Sequence, residues 1–523
     1  MNKRRWMNLA VTFCSLESVQ PKFDIHTPMK RYFILVALLF WATQLAYSQT
    51  SKVTQAAPNA PMDSVVQRLG KEFIKQPARV GLSIGIIKNG QTYFYNFGTT
   101  EKGKNQAPTQ NTVFEIGSVS KTFTSLLLAH AVIEKKVNLT DDIRKYMGGD
   151  YANLAYKGKP IQLVHLANTT SSLPDNLPDL SGMLQKVNPD SVGFVAVRSL
   201  RNYTKQDFYK DLHTVRLDTV PGLVPRHSNV ATQLLAYILE QVYQTSYDQL
   251  IEKYIERPLA MKRETAAEAS FMASGYNENG SIMPVNSIKA FHAAGGLRYS
   301  SADMLKYIKY QLAGTDKALI LSHQATWGNI NEQAIGFNWN MIKTVDSKRR
   351  LFHSGGTFGF ASYCDLYPEL GFGIILLSNE SDRSTQTNLE KLSETIVEGI
   401  YGVPPALKAF QNSLVAHDYD QAMGLFETVK KKYPELHLTE DFVNNWGYAL
   451  ARQGKVQQAI ELFKLNVSLY PRNWNTYDSL AEAYEMAGNR TLSVENYKRS
   501  LALNPQNTGA VEHLKKLGGA TGQ

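Results

Sequence analysis

Cysteine is almost missing from this chain. Its 523 residues include only Cys14 and Cys364, which excludes a scaffold stapled by several disulfides. Zinc-finger spacing, HExxH, a P-loop and GxGxxG are also lacking, so no motif points to zinc catalysis, P-loop chemistry or dinucleotide binding. The formal net charge is +10, yet no long basic run carries it. The longest runs are the triplets Lys3-Arg4-Arg5, Lys348-Arg349-Arg350 and Lys430-Lys431-Lys432. Such scatter describes a basic surface rather than a nucleic-acid footprint. No apolar run reaches the ~20 residues of a comfortable membrane span.

What the chain does contain is enough length for two or three domains with a large core. Its 43% hydrophobic and 20% charged residues are ordinary for a globular protein. Residues 29–48 have the form of a secretory signal: Lys30 and Arg31, the apolar run Phe33–Ala42, then Ala46-Tyr47-Ser48. Met29 is the expected initiator, and cleavage would leave Gln49 first. Cys364 would then be alone, and no membrane span would remain. Export without disulfides suits a bacterial envelope, so a periplasmic or secreted location is expected.

Residues 49–61 are polar and Ala/Pro-rich, as a linker would be. Val65, Val66, Leu69, Phe73 and Ile74 have helical spacing. Val80–Lys88 and Gln91–Phe97 are β-rich and joined by Asn89-Gly90, a strong hairpin signal. A helix is expected over roughly 118–135, and residues 160–320 read mostly as helices and loops. β-rich runs return at Leu351–Tyr367 and Phe372–Asn379. The expected class is α+β, an antiparallel sheet whose first and last strands meet beside a helical region, over residues 62–402.

From 405 to 515 the texture becomes repetitive. Gly454 and Gly488, Pro471 and Pro505, Ala449 and Ala483, Phe463 and Tyr497 all share one spacing, that of the tetratricopeptide helical hairpin. Tyr419–Pro434 looks like a further, partial repeat. So few repeats rarely stand alone, and they are expected either to dock on the preceding domain or to pair with another subunit.

Chemistry centres on Phe114–Thr124, which holds the only S-x-x-K of the chain, Ser118 and Lys121. The spacing puts the lysine one helical turn beyond the serine on the same face. A serine hydroxyl needs a neighbouring base, and a partly buried lysine can lose its proton and be one. Four-residue matches of this kind arise by chance about twice in such a length, and Ser118 alone could simply cap a helix. Two further elements strengthen the reading. Pro221–Asn229 offers Asn229 as an amide for a substrate carbonyl or for the lysine, although Ser228 or Asn229 could merely cap the helix after it. His353-Ser354-Gly355-Gly356 offers glycines on a strand, with Gly356 N–H as a second oxyanion donor beside Ser118 N–H.

Together these motifs resemble the serine β-lactamase and penicillin-binding superfamily, in its class C β-lactamase, D-Ala-D-Ala carboxypeptidase and esterase branch. The likeness covers about residues 63–402. Phe114–Thr124 carries most of it, supported by Ile161–Pro174, Arg257–Met261, Ala293–Leu297 and Gly371–Asn379. The resemblance implies a β-lactamase/transpeptidase-like sheet, Ser118 as acylated nucleophile, Lys121 as its proton partner and Asn229 as a substrate-orienting amide. It also implies His353, where many members have lysine or histidine, with Gly355 and Gly356 lining the site. No metal or organic cofactor is implied.

Two positions depart from the family pattern. His227 stands where Tyr-x-Asn begins with tyrosine; histidine can move protons near neutral pH, but its ring is shorter than a phenol. Asn168–Leu173 replaces the family's Thr-His-Thr-Ser-Gly-Leu, and Ser172 in place of glycine suggests a differently shaped loop. Two functions stay open. One is an exported serine hydrolase acting through an acyl-enzyme on an amide, β-lactam or ester. The other is a hydrolase fold with weak or no turnover, joined to a peptide- or protein-binding repeat domain.

Overall fold

In the computed structural model, which describes residues 59–262 and 271–518, Asn89 and Gly90 take φ of +51° and +77°. A two-residue loop with both φ positive follows the natural strand twist. It pairs Gly81–Lys88 (β1) with Gln91–Gly98 (β2), Lys88 opposite Gln91. The expected signal segment, Cys14 and most of the expected linker lie outside the described residues. The linker's last residues, Ala60 and Pro61, already belong to helix α1, Ala60–Ile74.

The large sheet continues with Trp327–Asn329 (β3), Gln333–Gly336 (β4), Trp339–Lys343 (β5), Arg349–Gly356 (β6), Ala361–Tyr367 (β7) and Phe372–Ser378 (β8). Its order is β2-β1-β8-β7-β6-β5-β4-β3, with every neighbour antiparallel. The first and last strands of the domain therefore meet as expected, Leu82 opposite Ser378. The run expected as one strand over 351–367 is two. Thr357 N–H donates to Phe360 O at 2.8 Å and turns the chain back on itself, because Gly355-Gly356 and Gly359 give the backbone room to reverse. His353-Ser354-Gly355-Gly356 thus closes a strand instead of opening one.

Both faces of the central strands are covered, which explains why β8 reads as a continuous apolar run. One face meets α1 and α5 (Thr385–Tyr401) through Val66, Leu69, Phe73, Leu389 and Ile396. The other meets a helical layer containing α2 (Ser120–Ile133), α3 (Asn229–Tyr243) and α4 (Ser301–Ala313). A Cβ on Gly85 of β1 would lie 2.9 Å from Leu305 Cγ, so α4 sits directly on the sheet. Phe123 stacks on Tyr307 and Tyr299 at 3.9 and 5.4 Å between ring centroids. These rings fix α2, the helix that carries Lys121.

Beyond the sheet come α6 (Pro405–Ala416), α7 (Ala422–Lys432), α8 (Glu440–Arg452), α9 (Val456–Leu469), α10 (Trp474–Met486), α11 (Arg490–Leu503) and α12 (Thr508–Lys516). The bounds of α10 and α11 fall 34 residues after those of α8 and α9. Gly454 and Gly488 turn each hairpin with φ of +76° and +74°. Gly447 lets the helices touch, since a Cβ there would stand 2.6 Å from the Phe463 ring. This helical region has its own apolar core and docks on the β5–β6 turn. Val345 packs into that core, His437 N–H donates to Val345 O at 2.8 Å, and Ser347 Oγ donates to Glu435 O at 2.6 Å.

The basic triplet at the same turn is neutralised within the fold. Lys348 pairs with Asp346, Arg349 with Glu369, and buried Arg350 with Asp365 and Glu394. Among the described residues, no helix is long and apolar enough to cross a membrane.

Candidate active site

Ser118 occupies a one-turn 3-10 helix, Gly117–Val119, that feeds straight into α2. The helix was expected from about 118 and begins at Ser120, so Ser118 and Lys121 span the junction. Their spacing still brings them together: Lys121 Nζ is 2.8 Å from Ser118 Oγ. The same nitrogen lies 2.7 Å from Asn229 Oδ1 and 2.8 Å from Ala294 O. Lys121 is 1% exposed. Burial brings its pKa down from 10.5 to about 7, against the opposing pull of the Asp175 charge.

This geometry sets the direction of the proton. Asn229 Oδ1 and Ala294 O can only accept hydrogen bonds. A neutral Lys121 amine spends its two N–H groups on them, and its lone pair then faces the Ser118 hydroxyl. A charged ammonium would donate to all three partners and could take no proton from serine. Burial thus weakens the amine's hold on its proton, and the two carbonyls orient its lone pair toward Ser118.

Asn229 is itself held. Asn176 Oδ1 accepts from Asn229 Nδ2 at 2.9 Å, which turns Asn229 Oδ1 toward Lys121. Ser228 caps α3 by accepting from Ala231 N–H at 3.0 Å, and it donates to Pro174 O at 2.7 Å. The capping alternative is therefore true of Ser228 and leaves Asn229, at the first helical position, free to face the site.

The end of β6 lies against the Ser118 turn with no space for side chains. A Cβ on Gly117, whose φ is +50°, would stand 2.5 Å from Gly356 N; one on Gly355 would stand 3.0 Å from Ser118 N and would overlap Ile116 O. Ser362 Oγ donates to Ile116 O at 2.7 Å and ties the turn to β7. Antiparallel pairs alternate between bonded and non-bonded. With Thr357 bonded to Phe360, Gly356 N–H points away from β7. The β5 pairing stops at Phe352, so among the described residues no strand covers that edge of His353–Gly356. Ser118 N–H and Gly356 N–H are the two backbone donors this edge presents beside the serine.

The sequence model of the family described as Beta-lactamase matches residues 63–394. The chain belongs to that family. Among curated relatives, it is 26% identical over 397 residues to the D-alanyl-D-alanine-carboxypeptidase/endopeptidase AmpH of Escherichia coli K12, covering 72% of this chain and 98% of that protein. It is 25% identical over 363 residues to a β-lactamase of Pseudomonas fluorescens, covering 61% of this chain and 93% of that protein. Among solved structures, the β-lactamase/D-alanine carboxypeptidase of Pseudomonas syringae superposes with a TM-score of 0.55 at 20% identity, over 66% of this chain and all of that one. At that identity the likeness shows the fold alone.

The remaining residues show where this member of the Beta-lactamase family differs. His227 is 56% exposed on its side chain, and its Nδ1 lies 2.6 Å from Asp175 Oδ1. Among the described residues, that carboxylate is the hydrogen-bond partner of the ring. His353 is half-buried, with Nδ1 2.6 Å from Ser354 O. Burial first, then the positive charges of Lys121 and His227, push His353 down to about 3, although the Ser354 carbonyl pulls the other way. His353 is therefore a neutral hydrogen-bonding group, unlike a lysine at the same place.

Ser172 has an unusual backbone. It takes φ of +61°, the left-handed region that glycine enters freely, so the serine holds a glycine-like backbone at a cost of about 1 kcal/mol. Three contributors escaped the sequence motifs: Asp175, Asn176 and the carbonyl of Ala294. The first two directly follow the family-like stretch that ends at Pro174, and the third sits inside Ala293–Leu297. Adjacency to those stretches was the available signal, but which atoms would face Lys121 depends on the packing of segments far apart in sequence.

Proposed function

We propose that this chain is an exported serine hydrolase that works through an acyl-enzyme on Ser118. The observation that carries the reading is the fully buried Lys121 amine, bonded to two carbonyl oxygens and to the Ser118 hydroxyl. Lys121 accepts the hydroxyl proton as Ser118 Oγ bonds to the substrate carbonyl carbon. The carbonyl π pair moves onto oxygen between Ser118 N–H and Gly356 N–H. When the tetrahedral species collapses, the bond to the leaving group breaks, and that group departs with the proton Lys121 had taken, passed directly or through His227. A water then adds to the ester carbonyl, giving one proton to the base and the other to the released acid. Ser118 Oγ regains its proton, and the site is restored.

Amides of D-amino acids, β-lactams and small esters are the substrate classes this chemistry serves. A neutral His353 at the strand end favours substrates that hydrogen-bond there over those needing a cation for a carboxylate. The signal-like stretch at 29–48 supports export. We also assign residues 405–515 to tetratricopeptide-like repeats on the strength of the 34-residue helix spacing, with a peptide or protein as ligand.

A second reading, a hydrolase fold with little turnover that serves mainly to bind, draws on His227. Its ring is bonded to Asp175, whereas Ser118 and Lys121 are bonded to each other. One labelling experiment separates the readings. The purified protein is treated with a fluorescent phosphonate and a fluorescent penicillin beside Ser118→Ala, and adducts are mapped by mass spectrometry. Labelling at Ser118 that the variant abolishes supports the hydrolase. Absence of labelling in folded protein would remove it.

A further inference from the structure

Asp175 lies where no family motif put a functional residue, yet it holds both ends of the His227–Asn229 segment. Its Oδ1 is 2.6 Å from His227 Nδ1. Its main-chain oxygen accepts from Asn229 N–H at 2.9 Å and from Val230 N–H at 3.2 Å. Partial burial works against its charge. The His227 hydrogen bond, the His227 charge, Asn229 N–H and the Lys121 charge outweigh that and hold its carboxyl below the usual range. An ionised carboxylate can only accept, so Nδ1 of the neutral ring carries the hydrogen and Nε2 keeps the lone pair. Lys121 and His227 both act electrostatically on Asp175 and on His353, which places Asp175 and His353 each within reach of both.

We propose that Asp175 is a positioning residue for proton transfer by His227, and that the Asp175–His227 pair stands in for the tyrosine of the family pattern. The inference rests on the hydrolase reading above and deepens it. A lone surface histidine can rotate and present either nitrogen. The carboxylate fixes the ring and its tautomer, leaving Nε2 as the basic atom, and it stabilises the imidazolium formed when that nitrogen takes a proton. In deacylation, Nε2 accepts a proton from the attacking water as the water oxygen bonds to the ester carbonyl carbon. The imidazolium then returns that proton to Ser118 Oγ as the acyl bond breaks. The neighbouring Asn176 orients Asn229 in the same way, so one dipeptide orders both functional side chains of the 227–229 loop.

Several titratable groups face His227 or its partner: Asp175 from the loop after Pro174, Lys121 from α2 and the neutral His353 from β6. Asp179 lies near enough to Asp175 to feel its charge, and the adjacent Arg226 is held by Asp218 at 2.6 Å. Lys121 also feels Asp175, so the test must separate the two routes.

The test is a double-mutant cycle on the full chain, with deacylation of a chromogenic ester followed from pH 5 to 9. Asp175→Asn is expected to lower the plateau about 10²-fold and to move the low-pH limb to lower pH. In a His227→Ala background the same substitution should leave the plateau unchanged, and any limb shift that persists there is the part carried by Lys121. Equal losses in both backgrounds, or no loss with His227 present, would overturn the proposal. A nitrogen-15 histidine spectrum gives a readout that needs no turnover. The His227 signal should report Nδ1–H with a free Nε2 and should lose that tautomer in Asp175→Asn. An unchanged tautomer mixture would overturn the proposal as well. Failure of Ser118 to label with phosphonate is a separate outcome, which would sink the hydrolase reading and leave the tautomer result standing.

Discussion

The sheet-and-helix region and the helical region beyond residue 404 bury their contents in opposite ways. Lys121 bonds to partners 108 and 173 residues away, so three distant segments must arrive together before its hydrogen bonds exist. In the helical region, α8 packs on α9 and α10 on α11, each with its chain neighbour. Stability there is a sum of neighbouring terms, so damage stays local. In the first region a single misplaced segment disarms the site. A buried polar group at one unrepeated position marks function, whereas small residues repeated at 34-residue spacing mark packing.

The sharpest way to break this comparison is Lys121→Met. Acylation of Ser118 by an ester, measured by stopped flow, should fall by about 10³-fold or more. The melting temperature at neutral pH should hold or rise, because an apolar side chain replaces an amine whose charge is disfavoured by burial. The sign follows from linkage. A lysine depressed from 10.5 to about 7 leaves the folded state with fewer bound protons than the unfolded state between those values. Wild-type stability relative to the variant should therefore rise with pH from about 7 to 10. Acylation by the wild type should climb through about pH 7 and then level off. A flat profile would mean that Lys121 is not the base.

Gly117→Ala comes next. Its φ is +50° and a Cβ would meet Gly356 N at 2.5 Å. The change should cost about 2 kcal/mol and abolish phosphonate labelling, read by denaturant melts and gel fluorescence. His353→Lys tests the neutral strand end: acylation by penicillin, which carries a carboxylate, should improve about tenfold relative to a neutral ester, about 1.4 kcal/mol of discrimination.

Gly447→Leu should destabilise the α8–α9 hairpin by about 2 kcal/mol through collision with Phe463. Hydrogen exchange should rise there while Ser118 labelling persists. The smallest effect is expected of Gly454→Ala. Its φ is +76° with nothing within 4 Å, so it loses only about 1 kcal/mol of backbone freedom. Loss of Ser118 labelling in either helical variant would show that the two regions are coupled through the β5–β6 turn.

Much of the fold could be read directly. The Asn89-Gly90 hairpin and the 34-residue helix spacing follow from short-range geometry, and so does the approach of Lys121 to Ser118. The β6–β7 hairpin was hidden, because a glycine-rich stretch between apolar runs looks the same whether it continues a strand or reverses it. The positive φ of Ser172 was hidden for a related reason: composition shows which residue is present but not whether packing will hold it in the left-handed region. Asp175 and Asn176 had no local pattern, since their meaning comes from the loop of residues 227–229 that lies on them.

By itself the sequence determined that a serine and a lysine three residues apart meet across one helical turn, because a 3-10 turn and an α-turn both return the chain to about the same side after three residues. Only the tertiary structure decided how readily the lysine loses its proton. Its charge state depends on water being excluded and on which carbonyl oxygens receive its hydrogens. Those oxygens belong to Asn229 and Ala294, brought to α2 by the collapse of the whole domain. The same holds for His227, whose ring acquires a defined tautomer only when the Asp175 carboxylate is folded against it.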